Sequence, residues 1–556
     1  MPAINELLKL IFPESLPSLE ELEKTYPRRN LPASAHVTRF APSPTGFLHT
    51  GSLFTALIAK KVASQSGGVF FIRLEDTDTK REIAGVGEDL LAELAEFSLC
   101  PDEGYLGIHE KGIYGPYIQS QREKIYHAVI KHLLLIGRAY PCFATTDELS
   151  ELRQKQEKAQ LITGYYGEFA QYRDYPIEKA IEKIKNGEPY VIRFKSFGKH
   201  ENKITVDDLI RGELSLSEND QDIVILKSDR LPTYHFAHVV DDHFMGTTTV
   251  TRGEEWLSSL PIHLDLFAAL AWPPPEYAHL PLINKLDEDG NRRKLSKRKD
   301  KEAAVSYFLE DGYPSEALLT YLMSIANSNF EEWWSENRGK PLTDFSFAFN
   351  KMALEGALFD LDKVRFFARE TLAFKTGLEV AKAAKKYAEE YHPKFGELIN
   401  RDFNYFVQII DIERDKPNPR KDYTTYCDIY DSILFFYKQE YLELLNREKL
   451  PFNPLYARSL IKTVLEDIRD NFDFNLGEDE WFAALKTIAA RHGFAANLKT
   501  YKQDPASYLG HVGDVAEMLR IVLTTKKTSP NLYHILQILG RNRVQERINL
   551  IVEKYL

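Results

Sequence analysis

A chain of 556 residues and 64.1 kDa is too long for one hydrophobic core and predicts roughly three to five domains. With 44% hydrophobic and 28% charged residues, and no apolar run near the roughly 18 residues of a membrane span, it is excluded from the disordered, fibrous and membrane-spanning classes. A net charge of −11 excludes a uniformly basic nucleic-acid binder, so any polyanion must meet locally concentrated Lys and Arg.

The opening stretch, MPAINELLKLIFPESLP, is too acidic and its apolar part too short for a secretory signal. Cys100, Cys142 and Cys427 lie far apart, which predicts reduced thiols in a cytoplasmic protein and no disulfide framework. Residues 1–36 hold short apolar pieces broken by Pro13, Pro17, Pro27 and Pro32, and read as an appendage before the first domain.

HVTRF (36–40) then predicts a strand, APSPTG a turn, and the next stretch a helix with Leu53/Leu57 and Phe54/Ile58 at helical spacing. Lys60 and Lys61 lie near its end, and Gly67-Gly68 stops it. VFFIRL (69–74) is a continuous apolar strand and VGEDLLAELAEF (86–97) a second helix. Strand–helix–strand–helix in this order predicts a doubly wound parallel α/β sheet. From about residue 140 the pattern loosens into helices and separate strands, including YVIRFK (190–195) and DIVILK (222–227). The alternation resumes with YHFAHVVDD (234–242), TTTVT (247–251) and a helix over about 254–270, which makes the intervening stretch an inserted domain. Beyond about 302 the chain reads as mostly helical, with one proline-containing break at PNPRKD (417–422).

Two strings carry chemistry. RFAPSPTGFLHTGS (39–52) runs from a strand through a proline-fixed turn into a helix N-terminus, where free N–H groups suit phosphate. His49 can donate to a phosphate oxygen there, and Gly51 leaves room for a flat ring against the backbone. For His-x-Gly taken alone, an ordinary strand-to-helix corner is the alternative. RRKLSKRKDK (292–301) comes after a turn-like DEDGN, and its Lys294 and Lys297, either side of Ser296, can bring two ammonium groups onto a triphosphate. A solvated basic run is the alternative there.

Together the strings resemble the HIGH motif and KMSKS loop of class I aminoacyl-tRNA synthetases, in the right order on either side of an insertion. PSPTG followed by HTGS resembles the glutamyl branch of bacterial type; the glutaminyl branch usually reads PEPNG. RLEDTD (73–78), GPYIQSQR (115–122), LKSDRLPTYHFAHVVDDHFMG (226–246), TRGEEWLSS (251–259) and LFDLDKV (358–364) agree. The resemblance covers about 37–370 and continues more faintly beyond.

The resemblance implies an extension (1–36), then a Rossmann-type catalytic domain in two halves (37–140 and 233–285) around an inserted α+β acceptor-binding domain (141–232). It further implies a KMSKS-like loop with a stem-contact domain (286–370) and an all-helical anticodon-binding region (371–556). It assigns glutamate binding to Arg39, Ala41, Ser43, Glu75, Tyr234 and Arg252, and ATP binding to His49, Gly51, Ser296 and Lys297. His49, Lys294 and Lys297 are the residues it implicates in catalysis. Guanidinium forks suit a dicarboxylic amino acid and Glu75 suits its ammonium; a structural ion pair, or for Tyr234 a core aromatic, is the alternative for each.

The partners it implies are L-glutamate, ATP with Mg²⁺, and tRNA(Glu), joined in two steps through a glutamyl-adenylate. Relatives that bind zinc in the insertion do so with several thiols; this chain has only Cys142 there, followed by Tyr165 and Tyr166, so no metal is expected. Tyr423, Tyr426, Arg541 and Arg543 could stack on or clamp unpaired bases, against the alternative of core aromatics and surface charge. A glutaminyl enzyme, a tRNA-queuosine glutamylating enzyme and a non-catalytic RNA-binding paralogue are the rival readings. The wording PSPTG, the long helical tail, and the presence of His49, Lys297 and Arg252 weigh against them in turn. Nothing in the sequence demands a dimer, and a monomer is expected.

Overall fold

The computed structural model describes residues 2–44, 46–78, 85–296, 298–447, 449–471 and 473–556. The chain divides into two compact units, Met1–Phe308 with Leu319–Leu361, and Leu309–Leu318 with Asp362–Leu556.

In the first unit, α1 (Pro2–Ile11) buries Leu7, Leu8 and Ile11, which share one face at helical spacing. A capping box starts α2 (Leu19–Thr25): Ser18 and Glu21 exchange side-chain and backbone bonds of 3.2 and 2.7 Å. Both helices join one core with Ile125, Val129 and Leu133. At about 1.5–3 kcal/mol for each large apolar side chain buried, this segment is an integral part of the unit. The appendage expected from its prolines is not what the structure shows, because its apolar face finds a partner far along the chain.

The sheet has the predicted alternation. β1 (Val37–Phe40) is buried along its whole length, as an inner parallel strand must be. α3 (Thr50–Ser66) crosses back and ends at Gly67, whose φ of 68° is left-handed. At Gly68 a Cβ would lie 1.9 Å from the His36 carbonyl, so this turn admits no side chain. β2 (Val69–Ile72) pairs with β1 in parallel, Val37 opposite Val69. After α4 (Val86–Glu96), β3 (Glu103–Tyr105) joins β2 in parallel, and β4 (Glu110–Lys111) turns back on it. Then come α5 (Glu123–Leu135) and the insertion.

Within the insertion, β5 (Ala139–Cys142), β6 (Val191–Phe194) and β9 (Val224–Leu226) form a small antiparallel sheet accompanied by α6 (Thr146–Lys158) and α7 (Ile177–Lys185). The hairpin of β7 (Lys203–Asp208) and β8 (Gly212–Ser217) leaves that sheet. It extends the parallel sheet instead, pairing Asp208 with Tyr277. The chain returns through α8 (Tyr234–Phe244), β10 (Thr249–Gly253), a 3₁₀ segment Glu254–Ser259, α9 (Leu260–Ala269) and β11 (Glu276–Leu280). β10 pairs with β11 in parallel and lies beside β1, where the Thr248 N–H donates to the Val37 carbonyl at 3.0 Å. Two four-stranded sheets, β4-β3-β2-β1 and β10-β11-β7-β8, thus meet at β1 and β10, where the winding direction reverses.

The second unit is helical, and one core runs from Leu372 to Val552. Its breaks outnumber the single one expected at 417–422. Residues 449–457, 492–497 and 504–511 also leave the helical pattern, the last two joined by a short parallel pair between Phe494–Ala495 and Gly510–His511. Tyr423 and Tyr426 lie in this core, 9% and 8% exposed, so stacking on an RNA base would require unpacking them. Of the two alternatives the sequence leaves open for them, both are core aromatics. Arg543 donates to the Tyr405 hydroxyl at 2.9 Å, and Arg541 is exposed.

Candidate active site

A cavity of about 570 Å³ opens at the C-terminal ends of β1, β2, β10 and β11, beside the N-terminus of α3. In open α/β sheets the reversal of strand order leaves a crevice at this place. Arg39, Ala41, Ser43, His49, Gly51, Glu75, Tyr234, Arg252 and Lys294 all line it; Ser296 is not among the lining residues. Lys297 lies outside the described residues.

One wall is a buried charge network. The Glu75 N–H donates to the Pro42 carbonyl at 2.9 Å, which ties the loop after β1 to the loop after β2. Arg73, fully buried, donates to Glu75 at 2.8 Å and to Asp242 at 2.7 Å. Arg39 donates to the same Asp242 at 3.3 Å. Burial pushes the Asp242 carboxyl up, but Arg39 and Arg73 outweigh it and hold the group below the usual carboxylate range. For Glu75 burial wins, and its pKa rises despite Arg73. Next to them Asp241 accepts from Arg122 at 2.6 Å and from the Gln119 amide at 2.8 Å.

The opposite wall carries Arg252, 5% exposed. Its Nε donates to His279 at 3.0 Å, Nη1 to His263 at 3.1 Å and Nη2 to the Trp256 carbonyl at 3.4 Å, while the Tyr277 ring lies 4.8 Å away. Among the described residues no carboxylate lies within ion-pair distance of it. Burial lowers its pKa, yet an arginine stays charged in any case. Tyr234 closes this side, its ring 4.4 Å from that of Trp256.

At the helix end, His49 is the N-cap of α3 and its Nδ1 accepts from the Gly51 N–H at 2.9 Å. With Nδ1 engaged, Nε2 carries the proton of the neutral ring. A Cβ at residue 51 would stand 3.2 Å from that Nδ1, so glycine lets the ring fold back over the helix end. The first residues of the basic string form β13 (Arg292–Lys294), which pairs as a hairpin with β12 (Asn284–Leu286). Asp300 clasps the end of this hairpin, accepting from both Arg293 terminal nitrogens at 2.6 and 2.8 Å and from the Ser296 N–H at 2.9 Å. The Arg293 guanidinium holds the Asp300 carboxyl far below its ordinary value. Lys294 is paired with Glu255 at 2.8 Å, so it meets a carboxylate at the cavity rim.

The sequence reading singled out Arg39, Glu75 and Arg252 but passed over the groups that hold them: Arg73, Asp242, His263 and His279. Arg73 and Asp242 lie inside the quoted strings RLEDTD and LKSDRLPTYHFAHVVDDHFMG, where consecutive charges on buried elements were a usable signal. Gln119 Oε1 and Thr251 Oγ1, on lining residues, are buried without hydrogen-bond partners among the described residues. Cys142 packs among Tyr140, Phe143, Tyr165 and Tyr172, its thiol 3.5 Å from the Tyr165 hydroxyl. No group of three or more His, Cys, Asp or Glu side chains among the described residues could hold a metal ion.

Residues 36–334 match the family described as tRNA synthetases class I (E and Q), catalytic domain, and residues 507–552 match an anticodon binding domain. The glutamate–tRNA ligase of Clostridium perfringens is 44% identical over 98% of this chain and all of its own length. That of Acetivibrio thermocellus is 44% identical over 99% and all of its own. A crystal structure of a glutamate tRNA ligase from Elizabethkingia meningosepticum in complex with its amino acid superposes with a TM-score of 0.73. That match has 28% identity and covers 94% of this chain and all of the other. On family match, near-full-length identity and fold, this chain belongs to the glutamate–tRNA ligase family of class I tRNA synthetases.

Proposed function

We propose that the chain ligates L-glutamate to tRNA(Glu) in an ATP-dependent, two-step reaction through a glutamyl-adenylate. The observation that carries this reading is Arg252, a buried cation whose bonded partners among the described residues are all neutral. A buried charge without a counter-ion is costly, and a substrate carboxylate supplies one in a bidentate, charge-assisted contact. Arg39 is the second guanidinium of the cavity, and Glu75 receives the substrate ammonium, with Ala41, Ser43 and Tyr234 shaping the pocket around them.

ATP binds at the α3 N-terminus, over Gly51, with Lys297 and Ser296 of the basic loop closing on the phosphates. The glutamate α-carboxylate attacks the α-phosphorus and pyrophosphate leaves; a ribose hydroxyl of the terminal tRNA adenosine then takes the glutamyl group and AMP leaves. No protein nucleophile takes part. The His49 Nε2–H donates to a phosphate oxygen as charge develops, a contact of a kind worth about 10²–10³-fold when one donor is removed. Lys294 exchanges Glu255 for phosphate, and Mg²⁺ carried in with ATP neutralises part of the phosphate charge.

The insertion meets the acceptor end of the tRNA and the region beyond about 371 meets the anticodon; the anticodon-binding match at 507–552 supports the latter. The aromatic surroundings of Cys142 support an insertion that needs no zinc. No described helix is long and apolar enough to cross a membrane; a cytosolic monomer is the form we propose. ATP–pyrophosphate exchange with glutamate or glutamine, in the presence of total tRNA, tests the reading. Glutamate-dependent exchange is the expected result, and glutamine-dependent exchange would transfer the chain to the glutaminyl activity.

A further inference from the structure

Behind Arg252 the donors and acceptors can be counted. Arginine has five N–H groups and no acceptor. The His279 Nε2, 3.0 Å from the Arg252 Nε, must therefore bring a lone pair. That fixes the single proton of neutral His279 on Nδ1, which lies 2.6 Å from the Asp208 carboxylate. Asp208 is itself held by the N–H groups of Ile210, Arg211 and His279 at 3.0, 3.0 and 3.1 Å. Asp208 and His279 are 3% and 0% exposed, so both are withdrawn from bulk solvent. On the far side, His263 Nδ1 accepts from Nη1 and the Trp256 carbonyl from Nη2. Among the described residues three of the five N–H groups are thereby used, and one remains on each terminal nitrogen.

We propose that Asp208 and His279 are positioning residues for glutamate recognition. Asp208 selects the His279 tautomer whose Nε2 anchors the Arg252 Nε, so that the guanidinium keeps one N–H on each terminal nitrogen for the substrate carboxylate. If His279 carried its proton on Nε2, two N–H groups would face each other and the guanidinium would turn. Asp208 stands at the end of β7, so the hairpin that leaves the insertion to join the main sheet supplies the anchor. This inference rests on the proposed role of Arg252 and adds to it the origin of its orientation.

The test measures glutamate and ATP KM in tRNA charging for Arg252→Ala, His279→Phe, His279→Gln and Asp208→Asn, each with its thermal unfolding midpoint. His279→Phe keeps a ring without an acceptor and should raise glutamate KM at least 10-fold, leaving ATP KM within 2-fold. His279→Gln restores an acceptor oxygen near the Nε2 position and should recover most of that loss, whatever its midpoint. Asp208→Asn should raise glutamate KM at least 3-fold. Equal damage in His279→Phe and His279→Gln, or wild-type glutamate KM in His279→Phe or Asp208→Asn, overturns the inference. Wild-type glutamate KM in Arg252→Ala overturns the underlying assignment of Arg252 instead, so the two failures are distinguishable.

Discussion

The Arg73 Nη1 stands 2.7 Å from the Asp242 Oδ1, and neither side chain has any solvent exposure. The same carboxylate carries Arg39, so it bridges two buried cations: Arg73, which also pairs with Glu75, and Arg39, which lines the cavity. Removing one partner of a buried pair costs about 3–5 kcal/mol, because the remaining charge is left uncompensated. Asp242→Ala should destabilise the protein by about that amount, and Asp242→Asn, which keeps an acceptor, by less. Urea unfolding followed by circular dichroism measures both; an unchanged midpoint for Asp242→Ala would show that the network carries no net stability.

Four histidines, His235, His238, His263 and His279, sit behind the cavity, and burial lowers the pKa of each below 6.5. Below about pH 6.5 the unfolded chain binds protons that the folded chain refuses, so stability must fall as pH drops through that value. Each histidine contributes a slope of up to about 1.4 kcal/mol per pH unit. Most carboxylates titrate lower, so the window from about pH 6.5 to 5 belongs to the histidines. Unfolding midpoints at pH 7.5, 6.5 and 5.5 should be similar for the first pair and clearly lower at the last. A midpoint independent of pH across this range contradicts the buried neutral cluster.

On the role proposed for Lys297, Lys297→Ala should slow glutamate activation by roughly 10²-fold or more while substrate KM moves little, since a charge that meets negativity developing on the phosphates acts on the rate. Single-turnover adenylate formation separates the rate from binding. Near-normal activation would remove Lys297 from the mechanism.

Purified protein should contain no zinc, because Cys142 has no second thiol near it and one thiolate cannot build a four-ligand site. Its neighbours in the insertion core are Tyr140, Phe143, Tyr165 and Tyr172. Elemental analysis giving close to one zinc per chain would show that other residues serve as ligands.

The legible part of the sequence was local. β1, α3 and β2 could be drawn because VTRF and VFFI are continuous buried strands and Leu53, Phe54, Leu57 and Ile58 mark one helix face. The cavity residues Arg39, Glu75 and Arg252 sit inside distinctive strings, and a parallel sheet brings strand ends together without further instruction. Pairing at a distance was not legible. The helical spacing of Leu7, Leu8 and Ile11 is visible, but nothing local says that their partner is the face of α5. Asp208, His263 and His279 share no period, and only the placement of β7 beside β11 joins the first to the last. Tyr423 and Tyr426 look available for stacking because an aromatic side chain reads alike in a core and on a surface.

The most direct measurement of the central claim is incorporation of labelled glutamate into total tRNA, with ATP, before and after periodate oxidation of the terminal ribose. Glutamate should be incorporated with release of AMP and pyrophosphate, labelled glutamine should be incorporated far less, and oxidised tRNA should accept nothing. Incorporation that survives periodate would place glutamate on a base rather than on the terminal ribose. That outcome, or charging by glutamine in preference to glutamate, would contradict a glutamate–tRNA ligase activity for this chain.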